Sequence, residues 1–232
     1  MLEDFPITKR WPAADPSVIQ LYSLPTPNGI KVSAMLEETG LPYEPHLVNI
    51  MEDDQFTPEF LSLNPNNKIP AIIDPDGPGG KPLGLFETGA ILIYLADKSG
   101  LFLSDDPATR YETIQWVMWQ MGGLGPMLGQ FGFFYAFGGK DIEDKRPMER
   151  YLNETKRLLG VLDKHLEGRD FIMGDAYTIA DIASWPWVRG LSTAYKADDV
   201  LGLADYPNVM RWRAACMARP ASEKAVNIPT RD

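Results

Sequence analysis

Three short polar segments carry the residue types with which this chain could do chemistry, and the first is Thr26-Pro27-Asn28-Gly29. It follows an alternating segment, Ile19 to Leu24, that predicts a strand, and it precedes a helical pattern that ends at Gly40. Thr before Pro is typical of a helix start. The free N–H groups and partial positive charge of a helix N-terminus stabilise a nearby anion such as a thiolate. Simple helix capping explains the same residues equally well.

The second segment is Ile69-Pro70, at the start of a strand predicted over residues 68–74. Proline at this point removes one donor from the strand ladder and can form a cis bond. A cis bond would leave the backbone of Ile69 available to pair with an extended peptide ligand. The alternative is an ordinary edge-strand proline, which taken alone is favoured because only about 5–6% of X–Pro bonds are cis.

The third segment is Glu87-Thr88, which opens an apolar helix over residues 90–96. The hydroxyl of Thr88 and the backbone N–H groups of the helix start could bind a ligand carboxylate, and Glu87 could pair with a ligand ammonium. The α-carboxylate and α-ammonium of one amino acid would satisfy both. The alternative is that Glu87 only complements the helix dipole.

Cysteine and histidine are too few for several kinds of site. The only cysteine is Cys216, and the two histidines, His46 and His165, are far apart in sequence. An internal disulfide is therefore impossible, and no metal-ligand spacing is present. Because no redox cysteine accompanies Thr26, any reactive sulfur at that helix start must arrive with a ligand. Cys216, near Trp212 in a helical segment, is expected to be a small packed hydrophobic residue.

Composition limits the partners and the compartment. The chain has 22 basic and 32 acidic residues among 232, a net charge of −10. This charge would repel a nucleic-acid backbone or an anionic membrane surface, so neither is an expected partner. No apolar run reaches the roughly 20 residues of a membrane helix, and the acidic N-terminal residues do not resemble a signal peptide. With its single cysteine, the chain is predicted to be cytoplasmic.

The order of predicted elements indicates an α/β domain followed by an all-helical one. Within about 80 residues the order is β-α-β-α-β-β-α, which predicts a thioredoxin-like sheet, and the signals after Pro107 are helical only. Thr178-Ile179-Ala180-Asp181 resembles a capping box and is expected to serve folding. The predicted organisation comprises a Pro-rich N-terminal arm outside the core (1–18), a thioredoxin-like domain (19–100), a linker (101–110) and an all-helical domain (111–232).

Motifs from about residue 19 to 220 together resemble the nu class of glutathione transferases, bacterial proteins that act chiefly as glutathione-dependent disulfide-bond oxidoreductases. They include Thr26-Pro27-Asn28-Gly29, Asn66-Asn67-Lys68-Ile69-Pro70-Ala71, Leu85-Phe86-Glu87-Thr88-Gly89-Ala90-Ile91, Gly122-Gly123-Leu124-Gly125-Pro126-Met127 and Ile179-Ala180-Asp181-Ile182, and they occur in the family's order. Thr88 is a departure, because the family usually has Ser after the acidic residue. Its hydroxyl is kept, so we expect the change to be tolerated.

The resemblance implies the glutathione transferase fold, a homodimer, and glutathione as co-substrate. It assigns Thr26 and Asn28 to the neighbourhood of the glutathione sulfur, as the catalytic pair. The remaining expected glutathione contacts are Gln55 on the tripeptide, Lys68 near the glycyl carboxylate, Ile69 through its backbone, Glu87 and Thr88 on the γ-glutamyl end, and Arg150 from the helical domain.

The expected function is reduction of small disulfides by attack of the glutathione thiolate. A second enzymatic interpretation is conjugation of glutathione to an electrophile by the same thiolate. A third is a non-catalytic regulatory module with glutathione transferase architecture. The four polar residues Thr26, Asn28, Glu87 and Thr88 argue against the third, because a module that binds no ligand has no need of them all.

Overall fold

The computed structural model describes residues 2–230. These form two compact units, one built from residues 2–101 with 220–230 and the other from residues 102–219. Among the residues described, none of the helices has the length and apolarity needed to cross a membrane. The α-helices in chain order are α1 (Pro27–Thr39), α2 (Pro58–Leu63), α3 (Thr88–Ser99), α4 (Pro107–Trp119), α5 (Gly125–Tyr135), α6 (Arg146–His165), α7 (Ile179–Thr193), α8 (Asp198–Leu201), α9 (Pro207–Met217) and α10 (Pro220–Ala225).

The first unit is organised around a four-stranded sheet of order β2-β1-β3-β4. The strands are β1 (Ile19–Ser23), β2 (Tyr43–Leu47), β3 (Ala71–Asp74) and β4 (Leu83–Phe86). β1 and β2 are parallel and joined through α1, whereas β3 runs antiparallel to both β1 and β4. The short turn between β3 and β4 permits the antiparallel pair, and the crossover helix permits the parallel one. The predicted thioredoxin-like fold is confirmed.

The residues before β1 form part of the core, so the prediction of an arm outside it is wrong. Leu2 and Ile7 are buried in one cluster with Tyr22 and Phe60. The indole nitrogen of Trp11 donates a hydrogen bond to the carbonyl of Leu47 at 2.9 Å. The segment forms two short 3₁₀ helices, Leu2–Asp4 and Pro6–Lys9, and the apolar side chains of Leu2 and Ile7 reach the sheet.

The end of the described chain, residues 220–230, also belongs to the first unit. The prediction that these residues belong to the all-helical domain is therefore wrong. Helix α10 packs against α1, and the hydroxyl of Ser33 donates to the carbonyl of Ala225 at 3.0 Å. Both residues are buried. Periodicity identifies a helix but not the unit on which it packs, so this boundary could not be read from the sequence.

The second unit is helical throughout its regular elements, as predicted. Its start falls at Phe102, and α4 already begins at Pro107, within the expected linker of residues 101–110. A π-helical turn over Gln120–Leu124 joins α4 directly to α5. The glycines near residue 122 are therefore accommodated within nearly continuous helix.

The capping box predicted at the start of α7 is confirmed, and its carboxylate does more than cap a helix. Asp181 is fully buried and accepts hydrogen bonds from Ile172 N, Thr178 N and the indole of Trp212 at 2.8–2.9 Å. Burial raises the pKa of Asp181 to about 6, and these donors oppose the rise. One carboxylate thereby ties α7, α9 and the segment before α7 together. Cys216, also on α9, is buried as expected.

His46 on β2 is a buried residue whose protonation should affect the stability of the first unit. Its ring stacks on Tyr22, and its Nε2 lies 2.8 Å from Gln20 Oε1. The Gln20 amide nitrogen donates to two backbone carbonyls, so its oxygen faces His46 and the imidazole donates from Nε2. Burial lowers the pKa of His46, and Glu44 opposes this shift. The packed form is the neutral one.

A His whose folded-state pKa is depressed contributes stability that is present above its unfolded pKa, about 6.5, and is lost as the pH falls through the folded value. We therefore expect the free energy of unfolding to fall between about pH 7.5 and 5.5 more steeply in the wild-type protein than in His46→Gln. Urea denaturation at several pH values measures the difference. Parallel curves for the two proteins would contradict this role of His46.

Candidate functional site

The strand registers bring the predicted segments to one edge of the sheet. Ser23 at the end of β1 lies beside Leu47 at the end of β2, because those strands are parallel. Tyr22 lies opposite Ala71, the first residue of β3, and Ala71 lies opposite Phe86, the last residue of β4. The segments that follow β1, β2 and β4 and the one that precedes β3 therefore emerge together. The segment after β1 contains Thr26 and Asn28, and the segment after β2 contains Gln55. Glu87 and Thr88 follow β4, and Lys68 and Ile69 precede β3.

Thr26 is the N-cap of α1. Its backbone is extended, and its Oγ1 accepts a hydrogen bond from Gly29 N at 3.2 Å. Because a hydroxyl that accepts through a lone pair keeps its own hydrogen for another acceptor, Thr26 can cap the helix and donate at the same time. Thr26 and Asn28 are both half-buried at the start of the helix. The arrangement can stabilise an anion placed there.

Gly29 fixes how closely α1 approaches the end of β1. A Cβ atom at this position would lie 1.9 Å from the carbonyl oxygen of Leu24 and 2.6 Å from Ser23 Oγ. Any other residue would push the helix start away from the strand. The position of Thr26 therefore depends on the absence of a side chain three residues later.

The loop after β2 presents Gln55 within a short 3₁₀ turn, Asp54–Phe56. Asp54 is buried, and its carboxylate accepts from Asn49 N at 2.8 Å and from the Arg10 guanidinium at 2.5 Å. These contacts hold the loop in place. The Oε1 atom of Gln55 is buried and accepts no hydrogen bond from the part of the chain that is described. A buried acceptor in that condition suits a ligand N–H group.

The turn before β3 contains the Ile69-Pro70 bond, which is cis. Asn64 is buried and donates from its side-chain amide to the carbonyl of Lys68 at 2.5 Å. Lys68 itself is exposed, and Ile69 is half-buried. The ammonium of Lys68 is thus available to a carboxylate, next to the backbone of Ile69.

Glu87 has an unusual backbone conformation, with φ 71° and ψ 111°, immediately before α3. A residue other than glycine at such a φ costs on the order of 1–3 kcal/mol, and such residues concentrate at functional sites. Glu87 is exposed, whereas Thr88 beside it is buried. A carboxylate in solvent and a hydroxyl at a helix N-terminus can bind the ammonium and carboxylate of one amino acid.

Lys31 is a residue of this edge that the sequence reasoning missed. It lies on α1, is 1% exposed, and places its Nζ 3.3 Å from Thr88 Oγ1. Burial lowers the pKa of Lys31, and the negative charge of Glu87 opposes that shift. The available signal was a single lysine inside the otherwise small and apolar run of residues 29–36.

Arg150 is the one predicted contact that belongs to the second unit. It lies on α6 with its side chain 70% exposed and its Nη1 3.9 Å from a carboxylate oxygen of Glu154. An exposed pair of this kind holds the guanidinium only weakly. The role of Arg150 in ligand binding stays a prediction.

Within residues 2–230, which the structure describes, no group of three or more His, Cys, Asp or Glu side chains is arranged to hold a metal ion. The chemistry of the edge rests on hydroxyl, amide and backbone donors, the buried cation of Lys31, the exposed cation of Lys68 and the exposed carboxylate of Glu87.

Two family models match the chain: "Glutathione S-transferase, N-terminal domain" over residues 17–97 and "Glutathione S-transferase, C-terminal domain" over residues 127–220. Among curated proteins, the chain is 49% identical over 210 residues to the disulfide-bond oxidoreductase YfcG of Escherichia coli, covering 90% of this chain and 94% of that protein. It is 44% identical over 214 residues to YghU of the same organism, covering 89% and 73%.

Solved structures agree with this match. A glutathione transferase from Burkholderia graminis, with two glutathione molecules bound per subunit, superposes with a TM-score of 0.98 at 65% identity, over 100% of this chain and 97% of that one. A glutathione transferase from Pseudomonas putida, with one glutathione disulfide bound per subunit, gives 0.96 at 60% identity, over 98% and 99%. The sheet, the helix starts at its edge and these similarities lead to one conclusion: the chain belongs to the glutathione S-transferase family.

Proposed function

We propose that this protein is a glutathione-dependent disulfide-bond oxidoreductase of the nu class. The observation that carries the proposal is the start of α1. Thr26 caps this helix at a position that can stabilise a thiolate, yet the chain places no cysteine there. Cys216 is buried in the other unit. The working thiol is therefore that of glutathione.

The residues at the sheet edge divide among the parts of the tripeptide. Thr26 and Asn28 act on the sulfur, as the catalytic residues. Gln55 and the backbone of Ile69 bind the peptide groups, and Lys68 pairs with the glycyl carboxylate. Glu87 and Thr88 bind the α-ammonium and α-carboxylate of the γ-glutamyl end, and Arg150 adds a cation from the helical unit. Opposite charges face each other at both ends of the ligand.

The reaction is two thiol–disulfide exchanges. The thiolate of the first glutathione attacks one sulfur of the substrate disulfide, the S–S bond breaks, and the second sulfur leaves as a thiolate that takes up a proton. The thiolate of a second glutathione then attacks the mixed disulfide, giving glutathione disulfide and a second substrate thiol. Two glutathiones are oxidised and one disulfide is reduced. The hydroxyl of Thr26 and the dipole of α1 raise the fraction of glutathione present as thiolate near neutral pH.

The relatives support this proposal through what their names and structures state. YfcG and YghU are named disulfide-bond oxidoreductases. The Burkholderia graminis structure contains two glutathiones per subunit, the number that the two exchanges require. The Pseudomonas putida structure contains glutathione disulfide, the product of the second exchange.

Assembly and location are part of the proposal. A homodimer is supported by large apolar side chains on the surface of the first unit, since Met51 is 85% exposed and Phe56 53% exposed in the single chain. Exposed apolar patches commonly mark protein–protein interfaces. A reducing cytoplasm suits an enzyme that uses reduced glutathione and whose single cysteine is buried.

The experiment that tests the proposed function compares two second substrates in the presence of reduced glutathione. We expect turnover of a small dialkyl disulfide to exceed turnover of a chlorinated nitroarene by about tenfold or more, because thiolate exchange needs no further catalytic group. A preference for the nitroarene would favour conjugation as the function. No turnover of either, with no calorimetric binding of reduced or oxidised glutathione, would favour a regulatory module.

The matched control is Cys216→Ala. Since the buried thiol has no part in the exchanges, we expect this variant to reduce the disulfide at close to the wild-type rate. A variant that folds normally but loses most of its activity would show that the protein's own cysteine is the reacting thiol.

A further inference from the structure

Lys31 is the one lysine among the buried charged residues of the described chain. It contacts Thr88, the first residue of α3. Helix α1 packs against α3, so the lysine side chain reaches from one helix to the N-terminus of the other. Its Nζ is 3.3 Å from Thr88 Oγ1. Glu87 directly precedes Thr88 in the sequence. Its negative charge opposes the lowering of the Lys31 pKa that burial causes.

Packing alone does not account for a lysine at this position. The surrounding residues of α1, such as Ile30 and Val32, are buried and apolar. Methionine or leucine would fill a similar volume there without the desolvation cost of an ammonium group. A buried cation in such surroundings needs partners, and Thr88 and Glu87 are two of them.

The chemistry of Lys31 and Thr88 determines which of the two donates the hydrogen bond. An ammonium group has three donors and no acceptor, so Thr88 Oγ1 must accept from a charged Lys31. A hydroxyl has one hydrogen, which must then point to a different acceptor. The N-terminus of α3, where Glu87 is exposed beside Thr88, is the place where such an acceptor can bind.

We propose that Lys31 is a positioning residue for the α-carboxylate of the γ-glutamyl group: by donating to Thr88 Oγ1 it turns the Thr88 hydroxyl hydrogen toward that carboxylate, and its charge adds to the positive end of α3. This inference rests on the proposed function, because it concerns the same ligand. Lys31 acts through Thr88 and does not touch the reacting sulfur. Its effect is on binding and not on the exchange chemistry.

The test uses Lys31→Met, which keeps an unbranched side chain of similar size and removes its charge in an apolar environment. Binding is measured by calorimetry with glutathione and with an analogue in which 4-aminobutyrate replaces the γ-glutamyl group, so that only the α-carboxylate is missing. We expect the variant to bind glutathione about tenfold more weakly than the wild-type protein and the analogue within about twofold, since a hydrogen bond to a charged group is lost only in the first case. In the disulfide assay, KM for glutathione should rise while kcat at saturating glutathione stays within about twofold.

Thr88→Val supplies the second measurement. Because both residues act on the same carboxylate, the double variant Lys31→Met/Thr88→Val should lose little more glutathione affinity than either single variant. Equal losses for glutathione and the analogue would mean that Lys31 only supports the fold, and unchanged glutathione binding would also overturn the inference. If the wild-type protein binds neither ligand, the proposed function fails first and the role of Lys31 with it.

Discussion

Thr26→Ala is expected to reduce glutathione-dependent disulfide reduction by about 10- to 100-fold, because a hydrogen bond from the hydroxyl to a charged sulfur contributes about 1.5–3 kcal/mol. The hydroxyl oxygen is already engaged with Gly29 N, which leaves its hydrogen for the thiolate. The loss of the cap itself should cost only about 1 kcal/mol of stability. Activity should therefore fall far more than the free energy of unfolding.

The measurement is kcat/KM for a small disulfide as a function of pH. If Thr26 lowers the pKa of the bound thiol, the rise of kcat/KM with pH should shift to higher pH in Thr26→Ala. Thr26→Ser keeps the hydroxyl and serves as the control, with activity close to that of the wild-type protein. An alanine variant as active as the serine variant would exclude a catalytic role for the hydroxyl and leave Thr26 as a helix cap alone.

Asp181→Ala should destabilise the protein by about 3–5 kcal/mol, since it leaves buried donors without an acceptor. The orphaned groups would be the backbone N–H groups of Ile172 and Thr178 and the indole of Trp212. Each lies in a different part of the second unit, so the loss would not be confined to the first turn of α7. Denaturation followed by tryptophan fluorescence measures the effect.

Two further variants separate the carboxylate's roles. Asp181→Asn keeps the shape and one carbonyl acceptor, so its loss should be smaller than that of alanine. Thr178→Ala removes the hydroxyl that accepts from Ala180 N and should cost about 1 kcal/mol, the usual effect of an N-cap. If Asp181→Ala were no more destabilising than Thr178→Ala, the carboxylate would be a local cap and no tie between elements.

The regular elements of this fold could be predicted because their patterns are local. The alternation of β1 and the Thr-Pro start and Gly40 end of α1 depend on neighbouring residues only. The capping box at Thr178 is equally local, and it too is present. The grouping of Thr26, Ile69 and Glu87 at one sheet edge followed from recognising the order of elements, because that order fixes which strand ends meet.

What could not be predicted depends on contacts between distant segments. A lysine inside a helical pattern is ordinarily exposed, so the pattern does not predict the burial of Lys31. The Pro-rich start has no periodicity, and the burial of Ile7 is decided by the sheet on which it packs. The loop that carries Gln55 is held by the Arg10–Asp54 contact, which joins residues from segments with no common pattern.

The position of α10 has a consequence for biosynthesis. This helix belongs to the compact unit that contains the sheet, and it covers the face of α1 where Ser33 binds Ala225. A ribosome releases the sheet and α1 long before it releases residues 220–225. The unit that carries the proposed glutathione site therefore stays incomplete, with part of α1 uncovered, while the whole helical unit is synthesised. Emergence of α10 from the ribosome is thus the step that allows the first unit to be completed.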